Sequence, residues 1–179
     1  KRQSLAGQGD LFAALMPDTT PPSATTTEEV AEPEEATLAT IHTTPHSYHL
    51  VTTLAELNEL IARLSAYKEI CFDTETTGFD MFRDRIVGMS LAVEPHQAWY
   101  VSFTPENTAA FAEAVRPLFE NADITKVAQN MKFDMMVLKR LGIEIRGRKI
   151  DTMILHYLLD PESRHGMNQL ALRYLNYKP

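Results

Sequence analysis

The sequence predicts an α/β domain, a mixed sheet flanked by helices, entered through a disordered N-terminal linker. Two periodicities and one break in composition carry that expectation. Short apolar and β-branched runs alternate with longer segments whose apolar residues recur at helical spacing. Two of the runs are separated only by Glu94-Pro95-His96-Gln97, a hairpin connection that makes part of the sheet antiparallel. Residues 1–47 share neither pattern.

That first tract holds seven acids, two bases, five prolines and nine threonines. Such a composition buries too little apolar area to offset the entropy of ordering, so an extended linker is expected over 1–47. The chain starts on Lys1 rather than Met, which leads to the expectation that further chain precedes it. The domain is expected over 48–179. A short strand at 48–51 comes first. Thr53 then caps a helix whose Leu54, Leu57, Leu60, Ile61 and Leu64 form one stripe. A strand follows at 69–74, a turn at Gly78 and Asp80, and strands at 86–93 and 98–103. The spacing predicts a helix over 108–120, a strand at 126–128 and a helix over 131–141 stopped by Gly142. Asp151 is expected to cap a helix to about 159, and Asn168 another to about 175.

The 179 residues carry a net charge of −7, but residues 126–179 have ten bases and five acids. That segment is either a phosphate-attracting surface or an ordinary solvated mix. The single cysteine, Cys71, excludes an internal disulfide framework and a multi-cysteine zinc site. No run approaches the roughly 18 apolar residues of a membrane span, and no signal segment opens the chain. A cytoplasmic setting without membrane contact is the default expectation.

The carboxylates are the informative residues. Asp73 and Glu75 end a predicted strand, so alternation puts both on one face. Adjacent carboxylates repel unless a cation lies between them, and hard divalent ions take such oxygen ligands. Composition alone yields about 0.75 Asp-x-Glu pairs by chance, and Asp160-Pro161-Glu162 is another. A solvated strand end is thus the competing reading. Asp134 shares a helical stripe with Val137, Leu138 and Leu141. An acid among core residues is paired, protonated or metal-bound; a salt bridge at the stripe's edge is the alternative.

F-D-T-E-T-T-G at 72–78 resembles the first motif of the DEDD 3′–5′ exonucleases, and Q-N-M-K-F-D at 129–134 resembles the second. The flanks, from V-A-Q-N-M-K-F-D through D-T-M-I-L-H-Y-L-L-D to R-H-G-M-N-Q-L-A-L-R-Y-L, resemble the proofreading exonuclease domain of family A bacterial DNA polymerases. The resemblance covers 48–179 and implies a ribonuclease H-like fold. It implies hydrolysis of the 3′-terminal phosphodiester of DNA, releasing 5′-mononucleotides with two divalent ions, Mg²⁺ or Mn²⁺. It implies that Asp73, Glu75 and Asp134 are the catalytic metal ligands. Phe79 would wedge against the terminal base, Gln129 and Asn130 would contact the strand end, Phe133 would lie beside the site and Arg164 would touch the DNA. Each of these has a plain alternative: a turn residue, a core aromatic, a loop charge. The implied partners are a single-stranded 3′ end and the polymerase and 5′-nuclease domains of a parent chain.

One motif departs from the pattern. The family's third motif, Tyr-x-x-x-Asp, is missing: Tyr157 leads to Pro161, Tyr174 to Lys178, and His156 to Pro161 in the longer spacing. The expectation is a domain truncated before that motif, of low activity until the downstream segment is restored. Gln8-Gly9-Asp10-Leu11-Phe12 also resembles the Gln-x-x-Leu-Phe peptide that docks on the bacterial sliding clamp, with Gln8, Leu11 and Phe12 as anchors. Stray linker residues are the alternative. Two rival functions stay open at this point, a catalytically silent DNA-binding domain and an RNA-trimming relative of the same fold.

Overall fold

The computed structural model describes residues 38–80 and 82–179. Eleven elements follow in chain order: β1 (Ser47–Val51), α1 (Leu54–Leu64), β2 (Glu69–Thr76), β3 (Ile86–Glu94), β4 (Gln97–Ser102), α2 (Thr108–Glu120), β5 (Thr125–Ala128), α3 (Met131–Arg140), β6 (Lys149–Asp151), α4 (Thr152–Leu159) and α5 (Met167–Leu175). The sheet runs β1-β4-β3-β2-β5-β6. Its centre, β2-β3-β4, is antiparallel, and β1, β5 and β6 join in parallel. The mixed sheet is thus the expected one.

Alternation sorts the two faces. Phe72, Leu91 and Trp99 lie opposite one another across β2, β3 and β4, as do Thr74, Met89 and Val101, and all six are buried. This face joins Leu57, Leu64, Phe111, Val115 and Leu118 in one core, with Phe72 edge-on to Phe119 at 4.9 Å. α1 starts where its sequence says. The Thr53 hydroxyl accepts from Glu56 N–H and the Glu56 carboxylate accepts from Thr53 N–H, a reciprocal cap. Leu57, Leu60, Ile61 and Leu64 are buried, whereas Leu54 in the first turn is exposed. Thr53→Ala is expected to cost about 1 kcal/mol, read as a lowered thermal midpoint with unchanged cation binding.

The structure departs from expectation at several points. β6 was not anticipated, since three residues are too few to show a period; its pairing with β5 makes it a strand. β2 extends to Thr76, past a register shift at Glu75/Thr76. α5 begins at Met167 with Gly166 as its N-cap, so Asn168 lies inside the first turn rather than capping it. The extended backbone at Gly166 starts the helix, and its carbonyl accepts from Leu170 N–H at 3.1 Å. Residues 38–46, assigned above to the linker, include a backbone bridge from Ala39 to Tyr177. Lys126, counted above among the surface bases, is fully buried on β5. Its ammonium donates to the Asn121 and Arg146 carbonyls, and burial, helped by Lys149, pulls its pKa down to about 8. No helix among the described residues is long and apolar enough to cross a membrane.

Candidate active site

β2 carries the first two carboxylates. Ile70, Phe72 and Thr74 point into the core, so Cys71, Asp73 and Glu75 project from the opposite face. Asp73 is half-buried and Glu75 exposed. Asp134 arrives from α3 and is 2% exposed. Its position follows from the sheet. The β2·β5 ladder pairs only Glu69 to Cys71, so Thr74 N–H lies past its end. The Asp134 carboxylate receives that N–H at 2.9 Å and the Thr74 hydroxyl at 2.5 Å through the same oxygen. The acid on the apolar stripe is therefore held by β2 itself rather than by a salt bridge. Val137 and Leu138 are buried beside it, as the stripe predicts.

The N-terminus of α3 is set by a residue 20 positions away. Asn130 sits in the left-handed region at φ 59°. One oxygen of Asp151 accepts from Asn130 N–H at 3.1 Å and the other from Met131 N–H at 2.8 Å. The first oxygen also accepts from Met153 and Ile154 N–H, so one carboxylate caps both α3 and α4. Gln129 is likewise braced. Its amide N–H donates to the His165 carbonyl at 2.7 Å, and its amide oxygen accepts from the Thr152 hydroxyl. The bracing loop is itself held by His156, buried at 4% exposure, whose Nδ1 lies 2.7 Å from His165 Nδ1.

These elements enclose a cleft of about 440 Å³ whose walls include Asp73, Glu75, Phe79, Gln129, Asn130, Phe133 and Asp134. All but one of the expected site residues inside the described region are thus gathered in one place. Phe79 is 94% exposed and does not pack on the core. Phe133 is half-buried, packing on the core while lining the cleft. Arg164 is the exception: exposed on the α4–α5 loop, outside the wall, next to the residue that holds Gln129. Gln8, Leu11 and Phe12 lie outside the described residues. Sequence reading missed Thr74, Thr152 and the bracing by His165, whose only signals are contacts between distant segments.

Burial raises the pKa of Asp73, and the neighbouring Glu75 charge adds to it. Burial also pushes Asp134 up to about 6, opposed by the Thr74 hydroxyl and reinforced by Asp73. Among the described residues no three His, Cys, Asp or Glu side chains stand close enough together to enclose an ion. The donor chemistry still fits a hard divalent cation. The candidate donors Asp73, Glu75 and Asp134 are all carboxylates, and Asp73 and Asp134 lie in surroundings that oppose their negative charge.

A family model described as 3′–5′ exonuclease matches residues 48–179. The chain is 36% identical over 141 residues to DNA polymerase I of Pseudomonas aeruginosa, covering 73% of this chain and 15% of that protein. It is 30% identical over 177 residues to DNA polymerase I of Rhizobium leguminosarum, covering 84% and 17%. The chain therefore spans only about a sixth of the length of these curated relatives. Its fold matches Trypanosoma brucei RNase D in complex with RNA U12, with a TM-score of 0.66 at 17% identity over 75% of this chain and 48% of that one. It also matches Brucella melitensis NrnC with bound Mg²⁺, at 0.59 and 18% over 76% and 64%. The architecture common to them is ribonuclease H-like.

Proposed function

The chain belongs to the 3′–5′ exonuclease family found in DNA polymerase I, and we propose that it removes nucleotides from the 3′ end of single-stranded DNA by hydrolysis. The observation that carries this reading is the cleft itself: Asp73, Glu75 and Asp134 share it with Phe79, Asn130 and Phe133. Asp73, Glu75 and Asp134 would hold the divalent cations, two in number and Mg²⁺ or Mn²⁺ in kind. When bound, such cations supply water activation and neutralise charge that builds on the phosphodiester.

The chain's own side chains position the strand. Phe79, almost fully exposed at the cleft, wedges beneath the terminal base, and half-buried Phe133 backs it. Exposed Asn130 presents its amide to the strand end, since its backbone N–H is already taken by Asp151. Gln129, with both amide groups engaged, contributes by holding the loop that carries Arg164 toward the DNA. A mismatched end unpairs more cheaply than a matched one and enters the cleft more readily. The polymerase and 5′-nuclease partners, and clamp docking through Gln8, Leu11 and Phe12, belong to the same proposal. A Leu11→Ala/Phe12→Ala peptide that binds purified clamp as well as the native peptide would remove the last of these.

The test uses 5′-labelled oligodeoxynucleotide and the same sequence as RNA, with Mg²⁺ or Mn²⁺, for the chain and its Asp73→Asn variant. Mn²⁺ binding is followed in parallel by calorimetry. The expected result is a ladder of shortened DNA, slower or absent on RNA, and Mn²⁺ binding that both disappear with the substitution. Equal ladders from both proteins, or Mn²⁺ binding indifferent to Asp73, would refute the assignment. A ladder on RNA alone would move the function to RNA trimming.

A further inference from the structure

Phe79 is the ring that the nuclease reading sets against the terminal base, yet at 94% exposure it is not aimed by packing. An exposed side chain goes where its backbone is held. That backbone belongs to residues 77–85, between the end of β2 at Thr76 and the start of β3 at Ile86. The connection is longer than the usual hairpin loop of about two to five residues, so strand pairing alone does not fix its tip.

Asp84 supplies the missing constraint. One oxygen of its carboxylate accepts from the Thr77 hydroxyl at 2.9 Å, and the other accepts from Asp80 N–H at 2.8 Å. These two donors stand on either side of Gly78 and Phe79, so one carboxylate staples the segment that carries the ring. Gly78 makes room for it, because a Cβ there would lie 2.6 Å from the oxygen that holds Asp80. The Asp84 backbone adds two more ties. Its N–H donates to the Asp80 carbonyl at 2.8 Å, and its carbonyl accepts from the Arg140 guanidinium. Arg140 ends α3, the helix that carries Asp134. Thr77 is seated on the strand ends in turn: its N–H donates to the Arg85 carbonyl at 3.0 Å, and its hydroxyl accepts from Arg85 N–H at 3.2 Å. A continuous path of hydrogen bonds thus runs from the helix of Asp134, through Arg140 and Asp84, to both flanks of Phe79.

We infer that Asp84 is a positioning residue for the nucleic-acid strand: it holds the 77–85 connection in the shape that aims Phe79 at the terminal base before a strand arrives. The inference rests on the nuclease reading above and adds what sets its wedge. A loop ordered in advance spares the bound state the entropy of ordering it. Loss of the staple should therefore weaken strand binding and leave the cation ligands as they are.

The test measures binding of the full chain to single-stranded oligodeoxynucleotide in EDTA, so that no hydrolysis intervenes. The 3′-terminal base is 2-aminopurine, whose fluorescence rises when a wedged ring separates it from its neighbour. Asp84→Ala removes both acceptors and is expected to weaken binding about tenfold, the scale of one lost stacking contact, and to abolish the fluorescence rise. Its Mn²⁺ binding, followed separately by calorimetry, should be unchanged. Asp84→Asn is expected to keep both affinity and fluorescence, since its carbonyl can accept from Asp80 N–H and its NH₂ can donate to the Thr77 hydroxyl oxygen. Gly78→Ala, which displaces the carboxylate without removing it, is expected to reproduce the Asp84→Ala result. In a Phe79→Ala background, Asp84→Ala should weaken binding no further. Unchanged binding and fluorescence in Asp84→Ala and Gly78→Ala, while Phe79→Ala weakens binding, would overturn the positioning role and leave the nuclease reading standing. An equal loss from Asp84→Ala with and without Phe79 would show that the carboxylate acts apart from the ring, and would also overturn it. Should Asp84→Ala lose Mn²⁺ binding as well, its effect would be one on the whole cleft, and the positioning role would fall. Absence of oligonucleotide binding by the unaltered chain, with Mn²⁺ binding indifferent to Asp73, would remove both readings.

Discussion

Asp134→Asn is expected to make the cation-free protein more stable at pH 8 while abolishing its cation binding. The asparagine carbonyl can still accept from Thr74 N–H and the Thr74 hydroxyl, so the hydrogen bonds that seat α3 against β2 survive. What is removed is a buried charge. The carboxyl's pKa is about 6 in the fold, against 3.8 for an ordinary aspartate. In the window between those values the folded state keeps a proton that the unfolded state releases, so this group's contribution to stability falls as pH rises through it. Above pH 6 the folded protein bears the full cost of the charge, about 1–2 kcal/mol once the open side of the cleft is allowed for. The variant should therefore gain that amount at pH 8 and nothing below about pH 4. Divalent cation reverses the order. The native protein is stabilised by binding, by about 2.7 kcal/mol at a hundredfold excess over Kd, and the variant is not. Thermal melts of both proteins at pH 4 and 8, with EDTA or Mn²⁺, give four comparisons. If Mn²⁺ raised both midpoints equally, Asp134 would not be a ligand. Hydrolysis should fall on the order of a thousandfold. Asp134→Ala separates the two roles, because it also leaves the Thr74 donors without an acceptor and should destabilise by about 2 kcal/mol in EDTA.

Asp151→Ala is expected to be the most damaging single substitution to the fold around the cleft. It removes the acceptor of four backbone N–H groups, two at the start of α3 and two at the start of α4. Two caps at typical strength amount to about 2–4 kcal/mol, or a midpoint lowered by roughly 6–15 °C. Asn130 would lose the contact that holds it in the left-handed region, and Asp134 one turn later would lose its register with Thr74. Cation affinity should fall with stability, although Asp151 does not line the cleft. Asp151→Asn sharpens the test. Its single carbonyl oxygen can serve Asn130, Met153 and Ile154, as one carboxylate oxygen does now, but its NH₂ would face Met131 N–H. Amide hydrogen exchange should then accelerate at Met131 and stay slow at Met153 and Ile154. Equal acceleration at both helices would show that the two caps are not separable in this way.

Much of the site was legible because its signals are local. Thr53 and its leucines announce α1 within one turn, and Asp73 and Glu75 share a face through strand alternation. Asp134 stood out because an acid on an apolar stripe demands an explanation, and its buried place under Thr74 supplies one. Asp151 was legible as the cap of α4 but not of α3, since the second helix lies 20 residues upstream. β6 has no period to detect in three residues, and Lys126 reads as a surface base until the fold closes over it. The two carbonyls that receive it are offered by a helix end and a loop.

Local sequence therefore determined the order and type of most elements, the face on which the β2 carboxylates project, and, through motif resemblance, the family. These depend on residues at most a few positions apart, where the 2.0 and 3.6 periodicities act. Tertiary structure alone decided what those parts face. Thr74 meets Asp134 across 60 residues because the β5 ladder stops short and leaves an N–H to be satisfied. Tyr100 lies over Gly88 because of cross-strand register, and Gln129 is held by a loop 36 residues away. Such meetings depend on chain pairing and on the need of each buried polar group for a partner, which no window of neighbouring residues contains.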